Sequence, residues 1–198
     1  MSWPATALRL FLVLVLQVAA LGWMIYERAH RLRTGEEVTI SLAPIDPRDL
    51  FRGDYVRLRY EISTVYPQTV GGDTEFERND PVWIALEPDE AGRSQPTGVF
   101  KHPPPELPDR TVIQGRVRSA YDSTPPENLI DTCPQTCKRL RIEYGIEKFF
   151  VPEGEGRKIE TIRDTTRVAI VAAVDSNGKA AIKKLLIDGE ESYSEPLF

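Results

Sequence analysis

The chain has 198 residues, room for one domain of ordinary size plus an appendage. Its net charge of −5 comes from 30 acidic and 25 basic side chains interspersed along the chain, so there is no broad basic field to hold phosphates, and nucleic acid is excluded as a partner. Sixteen prolines and thirteen glycines cut the chain into short pieces, which favours strands over long helices in the part outside the membrane.

Leu10 to Tyr26 carries no charged side chain, a run of roughly 17 residues at the short end of what crosses a bilayer core. Trp3, Trp23 and Tyr26 stand near its two ends, where amphipathic rings favour the headgroup layer, and Arg9 can snorkel to the near side. Residues 1–27 are therefore expected to be an anchor helix; Val18-Ala19-Ala20 keeps a cleaved signal peptide as the competing reading. Orientation draws on opposed signals. Arg28, Arg31 and Arg33 after the helix outnumber Arg9 before it, which by charge alone holds the domain in the cytoplasm. The two cysteines, Cys133 and Cys137, are close enough in sequence for a local disulfide, which suits an oxidising compartment. A single N-terminal helix before a folded domain is also the form of an exported anchored protein. The expectation is the bacterial inner membrane, single-pass, with the domain on the periplasmic side.

Residues 28–37 read as a charged connector, and 38–198 as a β-rich domain. Val38, Ile40 and Leu42 alternate with Thr39 and Ser41 as a first strand. Two prolines, Pro44 and Pro47, then make an ordered loop. Arg52-Gly53-Asp54 is a sharp reversal feeding a strand from Asp54 to Ile62, in which Val56, Leu58, Tyr60 and Ile62 alternate with Arg57, Arg59 and Glu61.

The run Gly53-Asp54-Tyr55-Val56-Arg57-Leu58-Arg59-Tyr60 resembles the bacterial membrane-anchored family named for its GDYXXLXY motif, with every fixed position present. The resemblance implies an anchored domain outside the cytoplasm that associates with polytopic membrane proteins encoded nearby. It also marks Tyr144 to Gly156 as a second recurrent segment.

Tyr66 to Asp80, with Gly71-Gly72, reads as a loop. Val82 to Leu86 and Thr97 to Lys101 form a hairpin around Glu87-Pro-Asp-Glu-Ala-Gly92, and His102 to Pro105 is an extended spacer. Thr111 to Ala120 pairs with Arg139 to Tyr144, with the cysteine loop between them. One short helix is expected over Glu153 to Arg163. Arg167 to Val174 and Lys179 to Ile187 form a hairpin around Asn177-Gly178. The fold class is mainly β, a sandwich or barrel-like domain behind one transmembrane helix.

Chemistry has two candidate seats. In the motif loop, Asp46, Asp49 and Asp54 can hold a hard cation or act as acid and base, or be ion-paired with Arg48 and Arg52 as structure. A calcium loop is disfavoured because its ligand spacing and terminal glutamate are missing. The second seat is Tyr144, Gly145, Glu147, Phe149, Phe150 and Pro152; if the two segments meet, Arg52 or Arg48 opposite Glu147 is the expected pair. His30 and His102 are the only histidines, so no zinc set exists and no cofactor is expected. No nucleophile elbow, phosphate loop or zinc-protease helix is found, and only a serine–lysine pair meeting in space stays open. The expected function is a membrane-anchored binding or accessory domain that uses Asp49, Arg52, Gly53, Asp54, Tyr55 and Tyr60 on a polytopic membrane partner. Two alternatives stand beside it: an envelope hydrolase using Asp49, Asp54 and Glu147 on glycan or peptide, and a small-ligand sensor.

Overall fold

A computed structural model describes residues 3–43, 55–105, 107–124, 133, 136–150 and 168–194. The expected short helix at Glu153 to Arg163 lies outside them. Helix α1, Trp3–Thr34, runs 32 residues, about 48 Å at 1.5 Å per residue. Its apolar part is fully exposed to the surroundings and is long and apolar enough to cross a membrane.

The helix does not stop where the apolar run does. Within the charged connector of residues 28–37, helical structure continues to Thr34 and the first strand opens at Glu36. Glu27, Arg28, Ala29, Arg31 and Leu32 favour helix, with no glycine or proline between Glu27 and Gly35. Glu27 and Arg31 form an i,i+4 ion pair at 2.9 Å, and the Gly35 N–H closes the last turn on the Arg31 carbonyl.

Strands β1 (Glu36–Ser41), β2 (Tyr55–Arg57), β3 (Thr64–Val65), β4 (Gly71–Gly72), β5 (Pro81–Pro88), β6 (Ser94–Phe100) and β7 (Thr111–Ser123) follow. The remainder are β8 (Cys137–Glu143), β9 (Lys148–Phe150), β10 (Val168–Val174), β11 (Ala180–Ile187) and β12 (Glu190–Ser194). They make a four-stranded sheet in the order β1-β10-β11-β12, a two-stranded ribbon β2-β9, and a six-stranded sheet β3-β8-β7-β5-β6-β4. Among the described residues the strand pairings are antiparallel except that of β4 with β6. The mainly β expectation holds, and the hairpins β5–β6 and β10–β11 and the pair β7–β8 stand where periodicity put them. Tyr66 to Asp80 is more than a loop: it contains a 3₁₀ turn at Pro67–Thr69 and the strand β4.

The two larger sheets share one core. Ile40, Ile170 and Leu185 of the first meet Ile84, Val99, Ile113, Leu140 and Ile142 of the second. Each of these, fully buried, contributes about 1.5 to 3 kcal/mol against exposure. Strand β10 is buried on both faces: Val168, Ile170, Ala172 and Val174 join the core, while Val171 and Ala173 lie outside that cluster and are buried too. Against β10 and β11 packs the foot of α1, where Leu32 is 3% exposed.

The β10–β11 turn is where helix, first sheet and second sheet are fastened together. The Asp175 carboxylate accepts the N–H groups of Asn177 and Lys179, each at 2.9 Å, forming an Asx-type turn, and receives Arg31 Nε at 2.8 Å. Gly178, at φ +83°, offers its carbonyl to the Gln114 N–H of β7 at 2.7 Å. A Cβ there would sit 2.9 Å from the Gln114 nitrogen and 3.1 Å from the Val112 oxygen, whereas one on Gly92, also at positive φ, would meet nothing within 4 Å. Gly92→Ala is expected to cost only the left-handed backbone term, about 1 to 2 kcal/mol. Gly178→Ala is expected to cost measurably more, because β7 must also move; urea unfolding of both variants checks the difference.

Partial burial would raise the Asp175 carboxyl. The Arg31 hydrogen bond, the N–H groups of Lys179 and Asn177 and the Arg31 charge outweigh it and hold the group below its usual value. Since the folded value lies below the unfolded one of about 3.9, this contribution is complete above that pH and is lost as pH falls through the lowered value. Hydrogen-exchange protection at Leu32 to Gly35 is therefore expected to stay flat from neutrality down to about pH 4 and to fall below it. Asp175→Asn should show reduced protection at neutral pH and no acid step.

Candidate functional site

The motif strand is shorter than alternation implies. The ladder from Asp54 to Ile62 becomes β2 over Tyr55–Arg57, then irregular chain, a single bridge from Tyr60 to Leu42, and a 3₁₀ turn at Glu61–Ser63. Sidedness survives where it can be read: Leu58, Tyr60 and Ile62 are buried, while Arg59 and Glu61 are exposed. Past Arg57 the chain bonds to residues flanking β9 and β1 in turn. The Leu58 N–H goes to the Glu147 carbonyl at 2.7 Å, and the Arg59 carbonyl accepts the Ala43 N–H at 2.8 Å.

The two segments singled out by sequence do meet. Strand β2 pairs with β9 in the register Tyr55 with Phe150, Val56 with Phe149 and Arg57 with Lys148. Below this ribbon, two phenols cross between the segments. Tyr60 Oη donates to the Ile146 carbonyl at 2.5 Å, and Tyr144 Oη donates to the Ile62 carbonyl at 2.6 Å. Each tyrosine thus holds a backbone oxygen belonging to the other's segment. Burial first, and the Glu147 charge second, push both phenols well above their ordinary value. They stay protonated and donate; neither is a base.

Glu147 closes the turn beneath them. Its carboxylate accepts the Tyr144 N–H at 2.5 Å and the Gly145 N–H at 3.0 Å. The expected pairing of Glu147 with Arg52 or Arg48 lies outside the described residues, as do Asp49, Gly53, Asp54 and Pro152. Tyr60 and Tyr144, expected from sequence as binding residues, lie in the interior, 1% and 6% exposed. The signal was present for Tyr60, which shares the buried parity of Leu58 and Ile62. Tyr55, Phe149 and Phe150 lie in the ribbon, and Gly145 is exposed on the turn.

Cys133 and Cys137 stand at disulfide distance, with Cα atoms 5.9 Å apart. Among the described residues no group of three or more His, Cys, Asp or Glu could hold a metal ion.

All four chain ends flanking the two longest undescribed segments converge here. The Leu42 N–H bonds to the Val168 carbonyl at 3.0 Å, Ala43 bonds to Arg59, and Tyr55 pairs with Phe150. A family model described as GDYXXLXY protein matches residues 17–185. The chain belongs to the GDYXXLXY family. No curated protein and no solved structure matches it. The match takes in the second half of the apolar helix, the foot, and both segments of the site. Two fixed positions of the GDYXXLXY motif, Leu58 and Tyr60, are interior.

Removing either phenol leaves a buried carbonyl without its donor, which costs about 1 to 3 kcal/mol. Tyr60→Phe and Tyr144→Phe are each expected to lose that much in urea unfolding. The double variant should lose less than the sum, with a coupling of about 0.5 kcal/mol or more, because both bonds close the same junction.

Proposed function

We propose that this GDYXXLXY protein is a binding domain, anchored in the bacterial inner membrane by α1 with its β-domain on the periplasmic side. Its partner on this reading is a polytopic membrane protein, met by the motif turn Asp49 to Tyr55 together with the chain following Phe150. One observation carries the reading: the tyrosine-held junction brings the motif strand and the second segment side by side, at the end of β1 opposite the helix foot. From Glu36 to Ala43 the chain travels seven residue steps, about 23 Å at 3.3 Å per step. The same junction consumes the tyrosine hydroxyls and the Glu147 carboxylate in holding backbone, and so favours presentation over turnover. The periplasmic side rests on the cysteine pair, which suits an oxidising compartment.

A photo-crosslinker at position 54 in intact membranes is expected to capture a multi-span membrane protein, and one at Glu90 in the β5–β6 turn is not. Capture of soluble proteins alone, or equal capture from both positions, would overturn the proposal. With the crosslinker moved to position 52, Asp49→Asn together with Asp54→Asn should abolish capture with the domain still folded. Preserved capture with lost hydrolysis of envelope glycan or peptide would transfer the site to the hydrolase reading.

A further inference from the structure

We infer that the foot of α1 is a clamp and not a leash: anchor and β-domain move as one body, so that the helix fixes the height and heading of the domain on the bilayer. The uncharged run from Leu10 to Tyr26 is roughly 17 residues, about 26 Å, close to the thickness of the hydrocarbon core. Leu32 lies six residues further, about 9 Å beyond it, in the layer of headgroups. Trp23 and Tyr26 stand near that boundary, with ring centroids 6.2 Å apart, and Tyr26 stacks on His30 at 5.7 Å. The β10–β11 turn is therefore fastened to the helix at the membrane surface itself.

Three independent contacts make the fastening. Arg31, whose side chain is 14% exposed, bridges Glu27 at 2.9 Å and Asp175 at 2.8 Å, and Glu27 also receives Lys179 at 3.4 Å. Leu32 is buried. Gly35 allows β1 to leave the helix with no spacer: a Cβ there would fall 2.6 Å from the Arg31 oxygen and 3.0 Å from the Val174 nitrogen and oxygen. Lys183 further holds Glu37 at 2.6 Å, tying the first residues of β1 across to β11. A flexible tether of eight residues has none of these and would let the domain swing about the helix end.

The test is a pair of spin labels on the full chain in lipid nanodiscs, one at Met24→Cys on the exposed helix and one at Glu61→Cys at the far end of the domain. The native protein is expected to give a single narrow distance distribution. Arg31→Ala with Asp175→Asn, or Gly35→Val, should broaden it at least twofold while the β10–β11 hairpin keeps its hydrogen-exchange protection; Arg31→Lys should broaden it less. A broad distribution in the native protein overturns the inference whatever the variants do, and so does a narrow one retained in both variants with the hairpin intact.

Discussion

Two hydroxyl groups hold this domain's working end together. Tyr60 reaches across to the Ile146 carbonyl and Tyr144 reaches back to the Ile62 carbonyl, and everything beyond them is supported by that exchange. A ribbon of three residue pairs is too small to stand by itself in water. Strands β2 and β9 persist because the chain beneath them is pinned by buried phenols, by Leu58 on the Glu147 carbonyl, and by a carboxylate that satisfies the turn between. Two backbone oxygens that would be costly to bury alone are instead paired with groups that have no other use. Two fixed positions of the family motif, Leu58 and Tyr60, thus build the floor beneath the ribbon.

The opposite end obeys the same economy with charge in place of phenol. Arg31 is only slightly exposed and would be expensive there without anions on both sides; Glu27 and Asp175 supply them. Because Asp175 also shapes its own turn and Gly178 leans on β7, the helix foot, the first sheet and the second sheet meet within a few residues. The domain is consequently pinned at the helix foot and pinned again at its far face, with β1 as the rod between.

Sequence made the sheets legible wherever burial was one-sided. Leu140 and Ile142 against Arg141 and Glu143, or the Asn177-Gly178 turn between two apolar runs, carry their geometry in their period. The strand β12 was missed although Asp188-Gly189 is an equally good hairpin pair, since Glu190 to Ser194 is too polar to show alternation. The continuation of α1 past Glu27 was missed for a different reason: charge there is spent on a tertiary contact 144 residues away, and a charged face in isolation reads as solvated. The motif strand was drawn too long because alternate burial persists through Tyr60 and Ile62 after the ladder has ended, and periodicity reports sidedness without reporting hydrogen-bond partners. That the motif and the second segment touch was framed from sequence only as a conditional, and the tyrosine exchange between them leaves no local trace at all.

The reach of those bonds along the chain sets an order of events. The phenol contacts join residues 86 and 82 positions apart, and the Arg31 contact joins residues 144 apart. A polypeptide made from its N-terminus therefore exposes the motif long before the residues that frame it exist, and loop closure over such lengths comes late in folding. Chains that end before Tyr144 carry the signature letters with no platform beneath them, so the platform belongs to the finished molecule alone.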